Sequence, residues 1–234
     1  MGLNNTIRTL ADSFKIRASA CGSIMTDPKT KAAKDAGELS ETAKTYCENW
    51  VKEELYRRRK EFSSKYTDKG NECEASSIEY ASEQFGWGLV TKNEEHFTDE
   101  WMTGTPDIIL AGSVEDIKNS WDCFTFPLFD TDIPDKKYYW QGQVYMALTG
   151  RSTFGLVYTL MNAPDHLIEQ EARRSAEWQE VEAELYDAVR DRMTYDTFGV
   201  DLRIKRFESA RNEDDIARIA QRVEQCREYI RTLV

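Results

Sequence analysis

Two acidic residues and a lysine stand close together near the middle of the chain. Asp107 follows a proline at the head of the apolar run 108–110, and Asp116 and Lys118 are two positions apart in the next run. Side chains two positions apart in a strand project from the same face. Two carboxylates and an ammonium in one small volume suit a divalent cation and an attacking water. These residues therefore predict the core of a metal-dependent nuclease.

The elements that would position these groups can be read from the pattern around them. Residues 107–118 predict a strand hairpin that turns at residues 111–113, where Ala, Gly and Ser follow one another. A helix predicted to follow Gly70 carries Glu74 beside a stripe of small and apolar residues. A glutamate at such a boundary more often faces solvent, and Glu74 gains a role only because the hairpin needs a further ligand.

A pair of polar residues lies on a later helix. Residues 138–150 predict a helix that Gly150 closes, and Gln141 and Tyr145 share one of its faces because they are four positions apart. An amide and a phenol on one face can hold a water, a carboxylate that binds a metal, or a phosphate oxygen. Nearer the N-terminus, residues 17–23 predict either an anion-binding turn or an ordinary loop and helix cap.

The remaining pattern predicts a scaffold of helices around a small number of strands. Residues 29–69 predict helices, and the four basic residues 57–60 are best interpreted as a solvated helix end. The other predicted elements are strands at 88–91, 96–98 and 154–160, a long loop at 120–137, and helices at 166–193 and 212–233. The last two helices are expected to serve packing or assembly rather than catalysis.

Composition limits the choice of function. The chain of 234 residues has 42 Asp and Glu against 31 Lys and Arg, so its net charge of −11 should slow an encounter with nucleic acid unless bound cations help. Five cysteines without a CxxC pair predict reduced thiols rather than a zinc or iron–sulfur site. The N-terminus is polar and no apolar run approaches membrane-spanning length, so we expect a soluble, cytoplasmic protein without a membrane partner.

Taken in order, these motifs resemble those of the PD-(D/E)XK nuclease superfamily, and within it the phage lambda exonuclease and YqaJ-type viral recombinase branch. The resemblance covers residues 17–160, about three fifths of the chain. Glu74 is similar to the helix-borne acidic ligand of that superfamily and Asp107 to its first strand acid. Asp116 and Lys118 are similar to the second acid with its lysine. The absence of a cysteine cluster sets the chain apart from the iron–sulfur Cas4-like branch.

The resemblance also implies contacts with DNA and a fold. Gln141 and Tyr145 are similar to a motif shared with RecB-type nucleases, and Arg17 and Ser19 lie where members of the branch often keep an early Arg-Ser element. These four residues are expected to bind DNA. The implied fold is α/β (α+β), with a central mixed sheet flanked by helices in a restriction-endonuclease-like core. We expect a core at 1–165, including an N-terminal helical region, and a helical C-terminal extension at 166–234 packed on it.

The activity implied by the resemblance is Mg²⁺-dependent DNA hydrolysis, with Mn²⁺ expected to substitute. Glu74, Asp107, Asp116 and the backbone carbonyl of Ile117 would hold one or two ions, and Lys118 would orient or deprotonate the water. The residues leave the protonation state of Lys118 open, because neighbouring metal ions would lower its pKa and carboxylates would raise it.

Within the branch, enzymes resect the 5′ ends of linear duplex DNA, often as a ring-shaped trimer, for phage-type recombination with a single-strand annealing protein. The same role in a bacterial or phage-infected cell is expected here. Two alternatives remain open: an inactive scaffold that binds DNA ends, and an endonuclease of the structure-specific or restriction type.

Overall fold

A computed structural model gives the structure, which describes residues 2–60, 65–177 and 180–233. The helices are α1 Leu3–Ser13, α2 Cys21–Ile24, α3 Lys31–Asp35, α4 Glu41–Tyr56, α5 Lys65–Phe85, α6 Lys136–Thr149, α7 Asp165–Ser175, α8 Ala183–Met193 and α9 Glu213–Arg231. The strands are β1 Ile16–Arg17, β2 Phe97–Thr98, β3 Met102–Gly104, β4 Ile108–Ile109, β5 Ser113–Asn119, β6 Thr153–Thr159 and β7 Ile204–Ala210. Short 3₁₀ helices span Ala18–Ala20 and Val200–Leu202.

The strands confirm the predicted mixed α/β class. One sheet has the order β4-β5-β6-β7, in which β5 and β6 run parallel while β4 and β7 are antiparallel to their neighbours. A smaller sheet has the order β1-β3-β2. The described residues therefore form two mixed sheets where the sequence predicted one central sheet. The predicted hairpin of residues 107–118 is present as β4 and β5.

The four-stranded sheet is covered on both faces. Helix α6 packs on the face that carries Val114, Phe154 and Leu156, within a large core that also takes in α1, α4 and α9. Helix α5 packs on the opposite face, against Ile117 and Val157. Because side chains of a strand alternate between its faces, Asp116 and Lys118 lie on the α6 face.

The predicted strand at 88–91 is wrong. The segment has no strand structure, and Gly86 and Gly88 adopt the left-handed φ values of 66° and 76°. Such backbone breaks the extended ladder, and Leu89, the residue after Gly88, is fully exposed. The predicted strand at 96–98 is confirmed as β2. Helix α5 also begins earlier than predicted, at Lys65 rather than after Gly70.

The C-terminal region is mostly helical, as predicted, and also supplies a strand. Helix α9 begins at the predicted cap, where Asn212 accepts a hydrogen bond from the amide of Asp215 at 3.1 Å, and it packs against α1 and α4. Strand β7 completes the four-stranded sheet. The sequence predicted a helical extension at 166–234 and missed this strand. The division at residue 165 stays a prediction. None of the helices that the structure describes has the apolar length needed to cross a bilayer.

A buried ion pair lies across strands β5, β6 and β7. The Glu115 side chain is fully buried, and the Arg206 guanidinium donates to both of its carboxylate oxygens at 2.8 Å. Gly155 stands between them in the ladder, and a Cβ there would overlap the Glu115 carboxylate. The missing side chain of Gly155 thus leaves the space in which the ion pair lies. Glu115 is the residue before Asp116, so this pair helps to fix that part of β5.

We expect Gly155→Ala to lower the free energy of unfolding by about 2–4 kcal/mol, because the methyl group must push a buried carboxylate away from its guanidinium. Urea denaturation measures the loss as a lower midpoint. Gly112→Ala is the matched control, since a Cβ at Gly112 meets nothing within 4 Å and its φ is not positive. A Gly155→Ala protein as stable as the control would contradict the packing described.

Candidate active site

The start of strand β4 sets the first carboxylate beside strand β5. Asp107 immediately precedes Ile108, which pairs with Glu115, so the Asp107 side chain reaches the part of β5 that β4 leaves uncovered. There its Oδ2 accepts a hydrogen bond from the amide of Ile117 at 2.7 Å. Because the N–H and C=O of a strand residue point to the same side, the Ile117 carbonyl also faces this edge.

Asp116 is the second carboxylate and is almost fully buried, with 1% of its side chain exposed. Gln141 Nε2 donates to its Oδ1 at 2.9 Å, and Lys118 Nζ lies 2.5 Å from its Oδ2. Oδ2 accepts no well-oriented hydrogen bond within the described part of the chain. The ammonium of Lys118 also lies 5.6 Å from the ring centre of Tyr138. The predicted pairing of Asp116 with Lys118 on one face is confirmed.

Burial and the neighbouring charges shift the pKa values of Asp107 and Lys118. Burial, followed by the negative charge of Asp116, raises the pKa of Asp107 to about 7, although Lys118 and the Ile117 amide oppose this shift. Burial alone would lower the pKa of Lys118, but Asp116 and Asp107 outweigh it and raise that pKa above its usual value. Lys118 is therefore an ammonium at neutral pH, a point that the sequence left open.

Gln141 and Tyr145 share a face of α6, as predicted. Gln141 Nε2 lies 3.0 Å from Tyr145 Oη, which donates to the carbonyl of Thr105 at 3.2 Å. The pair thus links Asp116 to the segment that leads into Asp107. Both side chains are about 5% exposed. Their contacts lie within the protein, and their role in DNA binding stays a prediction.

Glu74 faces the same region but has a cation of its own. Its Oε2 contacts the ammonium of Lys92, and the charge of Glu74 contributes to the raised pKa of Asp107. Ala75, predicted in the buried stripe of this helix, is exposed, while Ile78 is buried as expected. In the described ranges, no three acidic, histidine or cysteine side chains are grouped as they are around a metal ion.

The Arg17–Ser19 element lies against the tyrosine of this site. A Cβ on Gly104 would come within 2.9 Å of both Ala18 and the Tyr145 ring, so all three positions are in close contact. Arg17 donates to Glu53 at 3.1 Å and to the Tyr46 hydroxyl at 3.4 Å, while Ser19 is exposed. The structure therefore brings the element next to Tyr145, with the Arg17 guanidinium directed to α4.

Several residues around the site had no signal in the sequence. Asn93 fixes the segment before β4 through two hydrogen bonds. Its side-chain Nδ2 donates to the Pro106 carbonyl at 3.0 Å, and its backbone N–H donates to the Asp107 carbonyl at 2.7 Å. Lys92 and Tyr138 contribute the charge and the ring described above. Spacing could not find these contacts, since each joins two segments that are separate in sequence.

The far end of strand β5 is held by a buried lysine. Lys69 on α5 donates to the carbonyls of Ser120 and Trp121, each at 2.9 Å, and lies 5.5 Å from the ring centre of Tyr195. Burial lowers the pKa of Lys69 to about 8. The ammonium ties α5, which carries Glu74, to the end of the strand that carries Lys118.

The donor atoms of this site fit a hard divalent cation. Asp107 and Asp116 offer carboxylate oxygens, and the Ile117 carbonyl lies on the same edge. Burial and the negative charge of Asp116 raise the pKa of Asp107, and a bound cation would relieve this repulsion. An oxygen-only set is the kind that Mg²⁺ and similar ions prefer. Glu74 would join it after release from Lys92.

The chain has the fold of phage-type exonucleases. It is similar to a phage-related exonuclease from Haemophilus somnus 129PT, with a TM-score of 0.78 and 26% identity over 99% of this chain and 98% of that one. It is also similar in fold to the alkaline exonuclease LHK-Exo from Laribacter hongkongensis, with a TM-score of 0.63 and 16% identity over 97% and 92% of the two chains. Thus the resemblance to the lambda exonuclease type is confirmed by structure.

The complex of LHK-Exo with dAMP matches in the same way, with a TM-score of 0.62 and 18% identity over 97% of this chain and 92% of that one. No family model matches the chain, and neither does any protein of curated function. The structural match extends over nearly the whole chain. The resemblance in sequence motifs had covered only residues 17–160.

We expect Asp107 to titrate near pH 7 in the metal-free protein, because burial and Asp116 both disfavour its charged form. The midpoint can be followed by NMR of side-chain carboxyl carbons after ¹³C labelling. Asp116→Asn should lower the midpoint, since it removes a negative charge and leaves Lys118 to act on Asp107. Asp201→Asn, on an exposed 3₁₀ helix, is the control that should leave it unchanged. A midpoint near 4 in the unsubstituted protein would contradict this electrostatic description.

Proposed function

We propose that this protein is a metal-dependent exonuclease that hydrolyses phosphodiester bonds of linear duplex DNA. The observation that carries the proposal is the convergence of Asp107, Asp116 and Lys118 at one edge of β5. Buried like charges are costly unless they serve a purpose, and here they sit in a fold shared with exonucleases. An acidic pair beside an ammonium matches the needs of phosphodiester hydrolysis.

Mg²⁺ is the proposed cofactor, and Mn²⁺ should substitute. Asp107, Asp116 and the Ile117 carbonyl would hold the ion, with Glu74 as a further ligand. When bound, a divalent cation lowers the pKa of a water and offsets charge on the phosphate. Gln141 keeps Asp116 oriented through its hydrogen bond to Oδ1, and the Ile117 amide does the same for Asp107. Removal of such supporting contacts typically costs metal affinity.

Lys118 acts as a cation in this mechanism. In the metal-free protein, Asp116 and Asp107 outweigh burial and raise its pKa, so Lys118 is an ammonium at neutral pH before an ion binds. It can orient the water through an N–H bond and stabilise negative charge that develops on the phosphate. The hydroxyl of Tyr145 and the amide of Gln141 maintain the position of the surrounding segments.

The direction of cleavage and the biological role are proposed from the resemblance of the sequence motifs to the lambda exonuclease branch. The chain matches exonucleases over nearly its full length, which supports end resection rather than cutting within a duplex. We propose that resection runs from 5′ to 3′ during phage-type recombination in the cytoplasm of a bacterial or phage-infected cell. A single-strand annealing protein and a ring-shaped trimer belong to the same proposal.

Digestion of labelled DNA tests this function. Linear duplexes labelled at the 5′ or the 3′ end are incubated with Mg²⁺, Mn²⁺ or EDTA, and a closed circular duplex is included. The proposal expects mononucleotide release from the 5′-labelled strand, no attack on circles and no activity in EDTA. Cleavage of circles would indicate an endonuclease. Binding of DNA ends without any cleavage would indicate an inactive scaffold.

We expect Lys118→Ala to lower the cleavage rate by a factor of about 10²–10⁴, because the substitution removes the ammonium that acts on the water and the phosphate. DNA and metal binding should persist, since the carboxylates remain. Single-turnover digestion gives the rate, and calorimetry with Mg²⁺ gives the metal affinity. Lys136→Ala, an exposed lysine at the start of α6, is the control. A Lys118→Ala protein that cleaves at the normal rate would remove this residue from the mechanism.

A further inference from the structure

The end of helix α4 is strongly basic in a chain that is acidic overall. We define the basic patch as Lys52 and residues 57–60, together with Tyr56. Residues 52–60 hold five basic and two acidic side chains, although the whole chain has a net charge of −11. An open cleft of about 460 Å³ lies at the patch. It is lined by the patch residues Lys52, Tyr56, Arg58, Arg59 and Lys60, together with Asn49 and Glu53.

The patch is exposed and only partly neutralised. Lys52 and residues 57–60 are exposed, and Tyr56 has 74% of its surface accessible to solvent. Arg59 pairs with Glu53 and Glu54. Among the residues that the structure describes, Arg57 and Arg58 form no ion pair. Within residues 2–60, 65–177 and 180–233, these two exposed guanidiniums thus have no carboxylate partner, and they lie beside the exposed Tyr56 phenol. A solvated helix end, as the sequence indicated, does not by itself explain an aromatic ring at this position.

A continuous line of contacts connects the patch to the candidate active site. Glu53 Oε2 is shared by the guanidiniums of Arg59 and Arg17, at 2.9 Å and 3.1 Å. Arg17 precedes Ala18, which packs with Gly104 against the Tyr145 ring. Tyr145 in turn contacts Gln141, which holds Asp116. The patch is thus joined to the site by a chain of contacts that runs through Glu53, Arg17 and Tyr145.

We propose that the basic patch binds the sugar-phosphate backbone of the duplex that has not yet been cleaved. This inference rests on the proposed function. Exposed guanidiniums and an exposed phenol are donors that contact phosphates without regard to sequence. An acidic protein repels DNA at long range, so a local positive surface is needed to keep the substrate engaged between cleavage events. Through Glu53, the patch is joined to Arg17, the residue before Ala18 at the Tyr145 ring.

The choice of DNA over an acidic protein follows from the arrangement. The cations are spread along one helix turn and the segment after it, and they line one open cleft. A backbone with regularly spaced phosphates can contact Lys52 and Arg58 while its end lies near the carboxylates. The same contacts would carry no base specificity, which suits an enzyme that must process any sequence.

A salt titration of DNA binding tests the proposal. A double variant, Lys52→Ala with Arg58→Ala, is compared with a matched control, Arg173→Ala with Arg190→Ala, which removes two exposed charges from α7 and α8. Fluorescence anisotropy with a labelled duplex, with Ca²⁺ in place of Mg²⁺, gives the dissociation constant at several salt concentrations. The patch variant should bind about tenfold more weakly, and its logarithmic salt slope should fall by about 1.8, which corresponds to two lost phosphate contacts.

A series of duplex lengths adds a second readout. A duplex too short to reach from the site to the patch should bind equally to the patch variant and the unsubstituted protein, and the difference should appear only with longer duplexes. Equal salt slopes for the patch variant and the unsubstituted protein would overturn the patch and leave the nuclease proposal intact. A control variant that loses as much slope as the patch variant would also overturn it. An unsubstituted protein that binds no duplex would overturn the proposed function itself.

Discussion

The structure around the candidate site depends on the repulsion between two buried carboxylates. Asp107 lies just before β4 and Asp116 lies in β5, and burial together with the charge of Asp116 raises the pKa of Asp107 toward neutrality. The fold opposes this repulsion with the Ile117 amide, the Gln141 side chain and the ammonium of Lys118. A site with so much negative charge in so little space is prepared for a cation. A cation bound there would offset the negative charge of Asp107 and Asp116.

The scaffold places this pair by restricting strand β5 on every side. Helix α6 covers one face and contributes Gln141, whereas α5 covers the other and holds the strand end through Lys69. The buried Glu115–Arg206 pair lies across the neighbouring strands, where Gly155 leaves the necessary space. Each of these contacts joins segments far apart in sequence. The geometry of the site is thus a property of the whole domain and not of the hairpin alone.

The sequence predicted those parts of the site whose residues follow a local period. Asp116 with Lys118 in a strand, and Gln141 with Tyr145 on a helix, were found because spacings of two and four fix a shared face. Strand β7 was missed because two long helical patterns surround it, and the strand predicted at 88–91 fails because two glycines adopt left-handed backbone. Neither the Lys92 contact with Glu74 nor the Asn93 contacts could be predicted, since they depend on tertiary packing.

The position of a bound ion is the most direct test of the central claim. Crystals of the protein grown with Mn²⁺ would show the ion by its anomalous scattering. We predict a peak within bonding distance of one carboxylate oxygen from Asp107 and one from Asp116, with the Ile117 carbonyl as a further ligand and Glu74 released from Lys92. A fully active protein whose Mn²⁺ lies elsewhere, with Asp107 and Asp116 left without an ion, would contradict the account.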